Sequence, residues 1–215
     1  DALIPLAWIE RAQARWQDYT DKMKEDNLPF AGQEKMLGVD VAEFGSDTTV
    51  RTLRIGQYIA WQRVSSQEDT MVTAGRVAAD MNEDAALEAN VDVIGIGNGV
   101  ARRLEELFGA RAHGINVAEG SSEPARFINK KAEYYWNLRT LFEQGGIMIP
   151  PDEELEEELS AIKYKIVDSS GKIQISKKDE MRKPENLGRS PDRADSLMLT
   201  IATAPARQPV FAYAG

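Results

Sequence analysis

From Met36 the chain alternates apolar Leu37, Val39 and Val41 with Gly38, Asp40 and Ala42, the period of a strand that buries one face. An acid flanked by small neighbours inside such a strand reserves space around its own side chain. Thr48 to Ile55 and Gln57 to Val64 are two further β-rich runs, parted by Gly56, so three consecutive strands with short connections predict an antiparallel meander. Upstream, Leu6, Ile9, Ala12 and Trp16 lie at helical spacing within Leu6 to Lys24, and Asn27 to Gly32 breaks that pattern as a linker.

Ser66-Gln67-Glu68-Asp69 reads as a capping box ahead of Met71, Ala74, Ala78, Met81 and Ala85, a helical stripe. Val91 to Ile94 is a short apolar strand carrying Asp92, and the glycine-rich turn Gly95-Ile96-Gly97-Asn98-Gly99 leads into a helix through Leu107. A strand over Ala112 to Val117 and a helix over Asn129 to Glu143, stopped by Gly145-Gly146, complete the order βββαβαβα. A meander followed by helix-covered strands implies an α/β fold, a mixed sheet with helices on both faces.

Asp152 to Glu158 is acidic at six of seven positions, the composition of a helix start that meets the positive end of the dipole. Ala161 to Val167 and Lys172 to Ser176 flank Asp168-Ser169-Ser170-Gly171 and predict a β-hairpin. Ser190-Pro191 supplies an N-cap and first-turn pair for a last helix from Asp192 to roughly Thr203, before Pro205. The division expected is a connector helix and linker over 1–35, one domain over 36–205 with the hairpin at about 161–177, and a flexible tail over 206–215.

The 215 residues carry a net charge of −9, no cysteine and one histidine, His113. That composition excludes a disulfide frame, a thiolate nucleophile, a Cys-ligated zinc and a His cluster, so any bound metal would sit on oxygen and be a hard cation. The longest stretch without a charged residue, Ser196 to Ala206, has 11 residues, short of the roughly 18 of a membrane span. The first residue is Asp1 rather than Met, and no signal-like apolar region follows, as expected of a piece of a longer protein.

Three features could converge: Asp40 on the first strand, Asp92 on the fourth, and Asp192 with Asp195 on one face of the last helix. Singly, each has an ordinary explanation, since acids are favourable at a helix N-terminus and tolerated at a strand edge. Together they would be costly without a partner, because like charges and burial both disfavour the ionised forms. Two divalent cations about 4 Å apart remove that cost and perform phosphodiester hydrolysis.

Leu37-Gly-Val-Asp-Val-Ala, Val91-Asp-Val-Ile-Gly-Ile-Gly-Asn-Gly-Val and Arg189-Ser-Pro-Asp-Arg-Ala-Asp-Ser-Leu, in this order and spacing, resemble the nuclease domain of the large terminase subunit of tailed bacteriophages. Phe127-Ile-Asn-Lys-Lys-Ala-Glu-Tyr-Tyr-Trp-Asn-Leu adds a fourth run, and the resemblance extends from about Leu3 to Ala204. It implies a ribonuclease H-like fold and a Mg²⁺- or Mn²⁺-dependent endonuclease that cuts concatemeric viral DNA during genome packaging. Asp40, Asp92 and Asp192 would then be the catalytic, metal-binding triad, Asp195 a further ligand, and Asp47 a helper for the second metal. The family also implies an ATPase motor N-terminal to the nuclease, a portal protein and a small terminase subunit as partners, and a place in the host cytoplasm at the procapsid portal. No Gly-x-x-x-x-Gly-Lys-Ser/Thr run is present, so no nucleotide is expected on this chain, which is expected to be monomeric in isolation.

A net acidic protein needs a local basic surface to hold DNA. Lys163 to Arg193 contains nine basic residues against five acids, a net +4 that leaves −13 for the remainder. Lys163, Lys165, Lys172, Arg182 and Arg193, with Lys130 and Lys131, are the candidate phosphate contacts, although charged hairpins are also ordinary solvated edges. The glycine-rich turn has Val100 where a dinucleotide fingerprint needs its third glycine, so a tight strand-to-helix turn is the expected role. The competing functions are a Holliday-junction resolvase on the same fold and a non-catalytic module docking on a motor or portal. A sugar-kinase-like ATPase would need a second lobe for which the chain is too short.

Overall fold

The computed structural model describes residues 1–26, 33–42, 48–66, 68–167 and 169–202, so Asp47, the linker at 27–32 and the tail at 206–215 lie outside the described residues. The strands β1 (Lys35–Asp40), β2 (Thr49–Ile55), β3 (Tyr58–Ser65), β4 (Glu88–Asp92) and β5 (Ala112–Ile115) form one sheet in the order β3-β2-β1-β4-β5. β1, β2 and β3 pair antiparallel, as the meander requires, and β4 and β5 join in parallel on the other side of β1. A pair β6 (Tyr164–Ile166) and β7 (Ile173–Ile175) makes the expected hairpin.

The helices are α1 (Leu6–Asp26), α2 (Thr70–Glu83), α3 (Gly97–Phe108), α4 (Lys130–Gln144), α5 (Glu153–Ala161), the one-turn α6 (Lys178–Met181) and α7 (Asp192–Leu199). Among the described residues no helix is long and apolar enough to cross a membrane. Leu37, Val39 and Val91 pack with Val77 and Met81 of α2 and Leu104 of α3 in one apolar cluster. A second cluster gathers Ile9 of α1, Tyr135 and Leu138 of α4, Leu155 of α5 and Leu197 and Leu199 of α7. α1 is locked into the sheet as well: Trp16 stacks on Tyr58 at 5.3 Å, and its indole N–H donates to the Ile59 carbonyl at 2.8 Å. Leu6, expected on the buried stripe, is 47% exposed.

The alternation read in β1 explains why α7 can lie on the sheet. A Cβ at Gly38 would stand 2.2 Å from the Ser196 carbonyl oxygen and 2.7 Å from the Thr200 nitrogen, so only glycine lets the helix backbone come this close. Polar side chains finish the contact. The Ser196 hydroxyl donates to the Gly38 carbonyl at 2.9 Å, and the Asn90 amide donates to the Leu199 carbonyl at 2.8 Å. The buried Arg54 guanidinium donates to the Thr200 carbonyl at 2.9 Å. The Asn90 and Arg54 donors take carbonyls left open at the helix C-terminus, where α7 ends at Leu199 rather than near Thr203.

Other boundaries move for similar reasons. The N-cap of α2 is Asp69, whose carboxylate accepts from the Met71 N–H, in place of the box expected from Ser66. Asn129 caps α4 and Gly145 ends it in the left-handed conformation, as the sequence indicates. Pro191, expected inside α7, stands at its N-cap position without a side-chain bond.

Candidate metal centre

Asp40 and Asp92 are brought together by sheet register. Val39 pairs with Val91 across the parallel β1–β4 ladder, and each acid is the next residue on its strand. The carboxylates therefore sit at the same end of neighbouring strands. A Cβ on Gly97 would lie 1.9 Å from the Asp92 carbonyl oxygen, so the glycine-rich turn lets α3 start hard against this strand end. Asp192 and Asp195 reach the same place from the first turn of α7. All four acids line one pocket of about 410 Å³ and are nearly buried, from 2% exposed for Asp195 to 9% for Asp92.

The centre of this group is held by an ammonium. Lys178 Nζ lies 3.0 Å from Asp40, 3.1 Å from Asp195 and 3.8 Å from Asp192. A second cation, Lys131, is 3.1 Å from Asp195, whose third partner is the buried Tyr135 hydroxyl, donating at 2.6 Å. Asp192 accepts from the N–H and hydroxyl of Thr48 at 2.9 and 3.2 Å, and Asp92 accepts from the Ile94 N–H at 3.0 Å.

These surroundings drive the acids apart. Burial raises Asp40 to about 7, a rise that Lys178 opposes and that the charges of Asp195, Asp192 and Asp92 reinforce. Burial also raises Asp92, against the pull of the Ile94 N–H and Lys178. Burial pushes Asp195 the same way, but Lys131, Lys178 and the Tyr135 hydroxyl outweigh it and hold this carboxyl down at about 2. Lys178 loses solvation yet is raised well above its ordinary value by the acids around it.

Four carboxylates converge in this pocket, where Lys178 and Lys131 pair with three of them and Lys177 and Arg182 also line the walls, so a divalent cation would find its ligands here in competition with bound ammonium groups. The donor set fits such an ion, since every candidate ligand is a carboxylate oxygen, the chemistry that hard cations select. As the side chains stand, no group of three or more His, Asp or Glu among the described residues is arranged around a common ion position. In this arrangement Lys178 Nζ sits on oxygens of Asp40 and Asp195.

The candidate phosphate contacts divide. Lys131 faces Asp195, and Arg182 lines the pocket while lying 3.3 Å from Asp179. Lys130 is 2.6 Å from Glu119, and Arg193 is 2.7 Å from Glu154 and 3.3 Å from Asp152. Lys163 and Lys165 are exposed on the hairpin and Lys172 is half-buried, none of them lining the pocket. The residues that sequence reasoning did not single out are Lys178, Tyr135 and Glu158. Lys178 was one charge within a basic stretch, and nothing in its local sequence distinguishes it.

No family model matches the sequence, and no curated protein matches it. Solved structures do. The nuclease domain of the large terminase subunit of bacterial virus Sf6, in a substituted form with manganese and beta-thujaplicinol, superposes with a TM-score of 0.76 at 22% identity, covering 96% of this chain and 100% of that one. The fold is that of phage large-terminase nuclease domains. The unsubstituted Sf6 nuclease domain matches with a TM-score of 0.71 at 22% identity, over 96% and 100% of the two chains. The large terminase nuclease of thermophilic phage G20c with bound magnesium matches with a TM-score of 0.60 at 20% identity, over 80% of this chain and 82% of that one. The ribonuclease H-like mixed sheet expected from the motifs is thus the observed terminase-nuclease fold.

The perturbed carboxyls set a pH dependence for the metal-free protein. A folded-state value raised above the unfolded one keeps a proton that the unfolded chain has lost, so stability falls as pH rises through that window. For Asp40 the window runs from 3.8 to about 7, and for Glu158, raised by burial, from 4.5 to about 8. Asp195 acts oppositely: its contribution is present above 3.8 and lost as pH falls towards about 2. Without divalent metal, the melting temperature should be higher near pH 5.5 than near pH 8.5, and a rise across that interval would contradict these assignments.

Proposed function

We propose that this chain is a divalent-metal-dependent endonuclease that cuts concatemeric viral DNA during genome packaging, by two-metal hydrolysis with Mg²⁺ or Mn²⁺. The observation that carries the reading is the convergence of Asp40, Asp92, Asp192 and Asp195, all nearly buried, in one pocket. The solved terminase nucleases of this fold, one with manganese and one with magnesium, support it. Asp40, Asp92 and Asp192 would hold the ions, with Asp195 as a further ligand. Bound there, the metals supply an activated water and stabilise the leaving oxygen.

The chain's own residues prepare the site. Thr48 orients Asp192, and Tyr135 and Lys131 keep Asp195 ionised and fixed. Lys178 holds the acids together when no metal is bound and competes for the same oxygens. Double-stranded DNA is the substrate in this reading. The motor domain, portal, small subunit and position at the procapsid portal in the host cytoplasm belong to the same proposal. Plasmid DNA should be nicked and linearised with Mn²⁺ and left intact with EDTA, and calorimetry should show Mn²⁺ binding that is lost in Asp92→Asn. A protein that neither binds Mn²⁺ nor cuts DNA would favour the docking-module reading.

Phosphate contacts by the hairpin would make DNA binding steeply salt-dependent and indifferent to sequence. Replacing Lys163, Lys165 and Lys172 together by Ala should lower the slope of log affinity against log salt by about 2 to 3, at roughly 0.9 per lost phosphate contact. An unchanged slope would remove the hairpin from the DNA surface.

A further inference from the structure

The acidic run at 152–158 faces the start of α7. Of its residues, Glu158 is buried to 3% exposure, and its Oε2 accepts the Ala194 N–H at 2.9 Å. Ala194 stands between Asp192 and Asp195, in the first turn whose N–H groups have no partner inside the helix. α7 has no side-chain cap of its own, and the Ser190 hydroxyl, expected to cap it, is buried without a hydrogen-bond partner among the described residues. Glu158 therefore does from α5 what an N-cap residue would do locally. Around it, Arg193 pairs with Glu154 at 2.7 Å and Arg189 with Glu157 at 2.6 Å, so both sides of the turn are tied to α5.

The outer pairs are partly exposed, and such pairs contribute little. The buried contact differs, since losing the acceptor in a dry setting leaves an unsatisfied N–H donor. An apolar residue could fill the Glu158 position without the cost of burying a carboxyl. Besides a contact with Arg189 at 3.8 Å, the acid adds an acceptor that fixes the turn carrying two of the four pocket carboxylates. We infer that Glu158 is a positioning residue: it clamps the first turn of α7 so that Asp192 and Asp195 are aimed at the metal centre. The inference rests on the metal-dependent reading proposed above.

Two variants of equal length separate the acceptor from mere filling of space. Glu158→Gln keeps an oxygen for the Ala194 N–H, whereas Glu158→Met does not. In the full chain, Glu158→Met should speed amide hydrogen exchange at Ala194 and weaken Mn²⁺ binding by calorimetry, each by about tenfold, while Glu158→Gln stays within about twofold of the parent. If Glu158→Met does not fold, Glu158→Asp takes its place: it keeps a carboxyl group, withdraws the acceptor and should show the same two losses. Unchanged Mn²⁺ affinity in the variant without the acceptor overturns the inference even if exchange quickens, since the role would then be structural only. Equal losses in Glu158→Gln overturn it also. A parent chain that binds no Mn²⁺ defeats the metal-dependent reading instead, and exchange at Ala194 still decides whether the clamp exists.

Discussion

Asp40→Asn should abolish DNA cleavage in Mn²⁺ or Mg²⁺ while leaving the folded protein at least as stable as the parent near pH 8. The two halves of this expectation have one cause. Asp40 is 3% exposed at the end of β1, and burial raises its carboxyl to about 7, aided by Asp195, Asp192 and Asp92. Without metal, the ionised form is thus a strained state that a neutral amide of the same shape relieves, apart from weakening the bond to Lys178. In the proposed metal-bound state, that charge would be a ligand. Losing a carboxylate ligand should cost several kcal/mol of transition-state stabilisation, a fall in rate of about a thousandfold or more. Asp192→Asn should behave alike in cleavage. Plasmid nicking, scored beside a denaturation curve, checks both halves, and cleavage at the parental rate by a stable Asp40→Asn protein would remove Asp40 from the metal set. A gain in stability coupled to lost function is the usual signature of a group held against its own preference by an active site.

That signature was partly legible in the sequence. An acid among small residues in an apolar strand marked Asp40, whereas the close approach of α7 at Gly38 shows only once helix and sheet are packed together. The meander, the parallel strands and the capped α4 followed from local period and turn chemistry. The rest depends on partners far away in the chain. Asn90 is a polar residue inside β4 because the Leu199 carbonyl accepts its amide, so the strand begins at Glu88 rather than at the apolar run from Val91. The cap of α7 comes from Glu158, 36 residues upstream, and no local motif could announce it. Lys131, expected to face DNA phosphate, is turned inward by Asp195, a pairing invisible until α4 and α7 are packed together. Lys178 is the strongest case, since its significance lies wholly in which acids surround it.

Lys178→Ala should therefore have opposite effects on the metal-free and metal-bound protein. In the absence of metal, Nζ is the cation shared by Asp40 and Asp195, with Asp192 at 3.8 Å. Removing it leaves acids buried against one another with Lys131 as the remaining cation in contact, a loss of about 2 to 4 kcal/mol where the carboxylates are ionised. The loss should shrink towards pH 5, because a proton on Asp40 replaces the missing charge and the variant then has less repulsion to relieve. Adding Mn²⁺ reverses the balance. The ion no longer has to displace an ammonium from the oxygens it needs, so affinity should rise by about tenfold or more, and the stabilisation gained at a fixed Mn²⁺ concentration rises with it. Melting curves at two pH values, with and without Mn²⁺, read all of these effects together. A variant whose metal-free stability is unaltered would show that Lys178 does not neutralise the acids, and one with parental Mn²⁺ affinity would show that it does not compete with the ion. If both shifts appear, the lysine is a tethered counter-ion, which keeps four carboxylates compatible with folding before any metal arrives and must yield its place when one does.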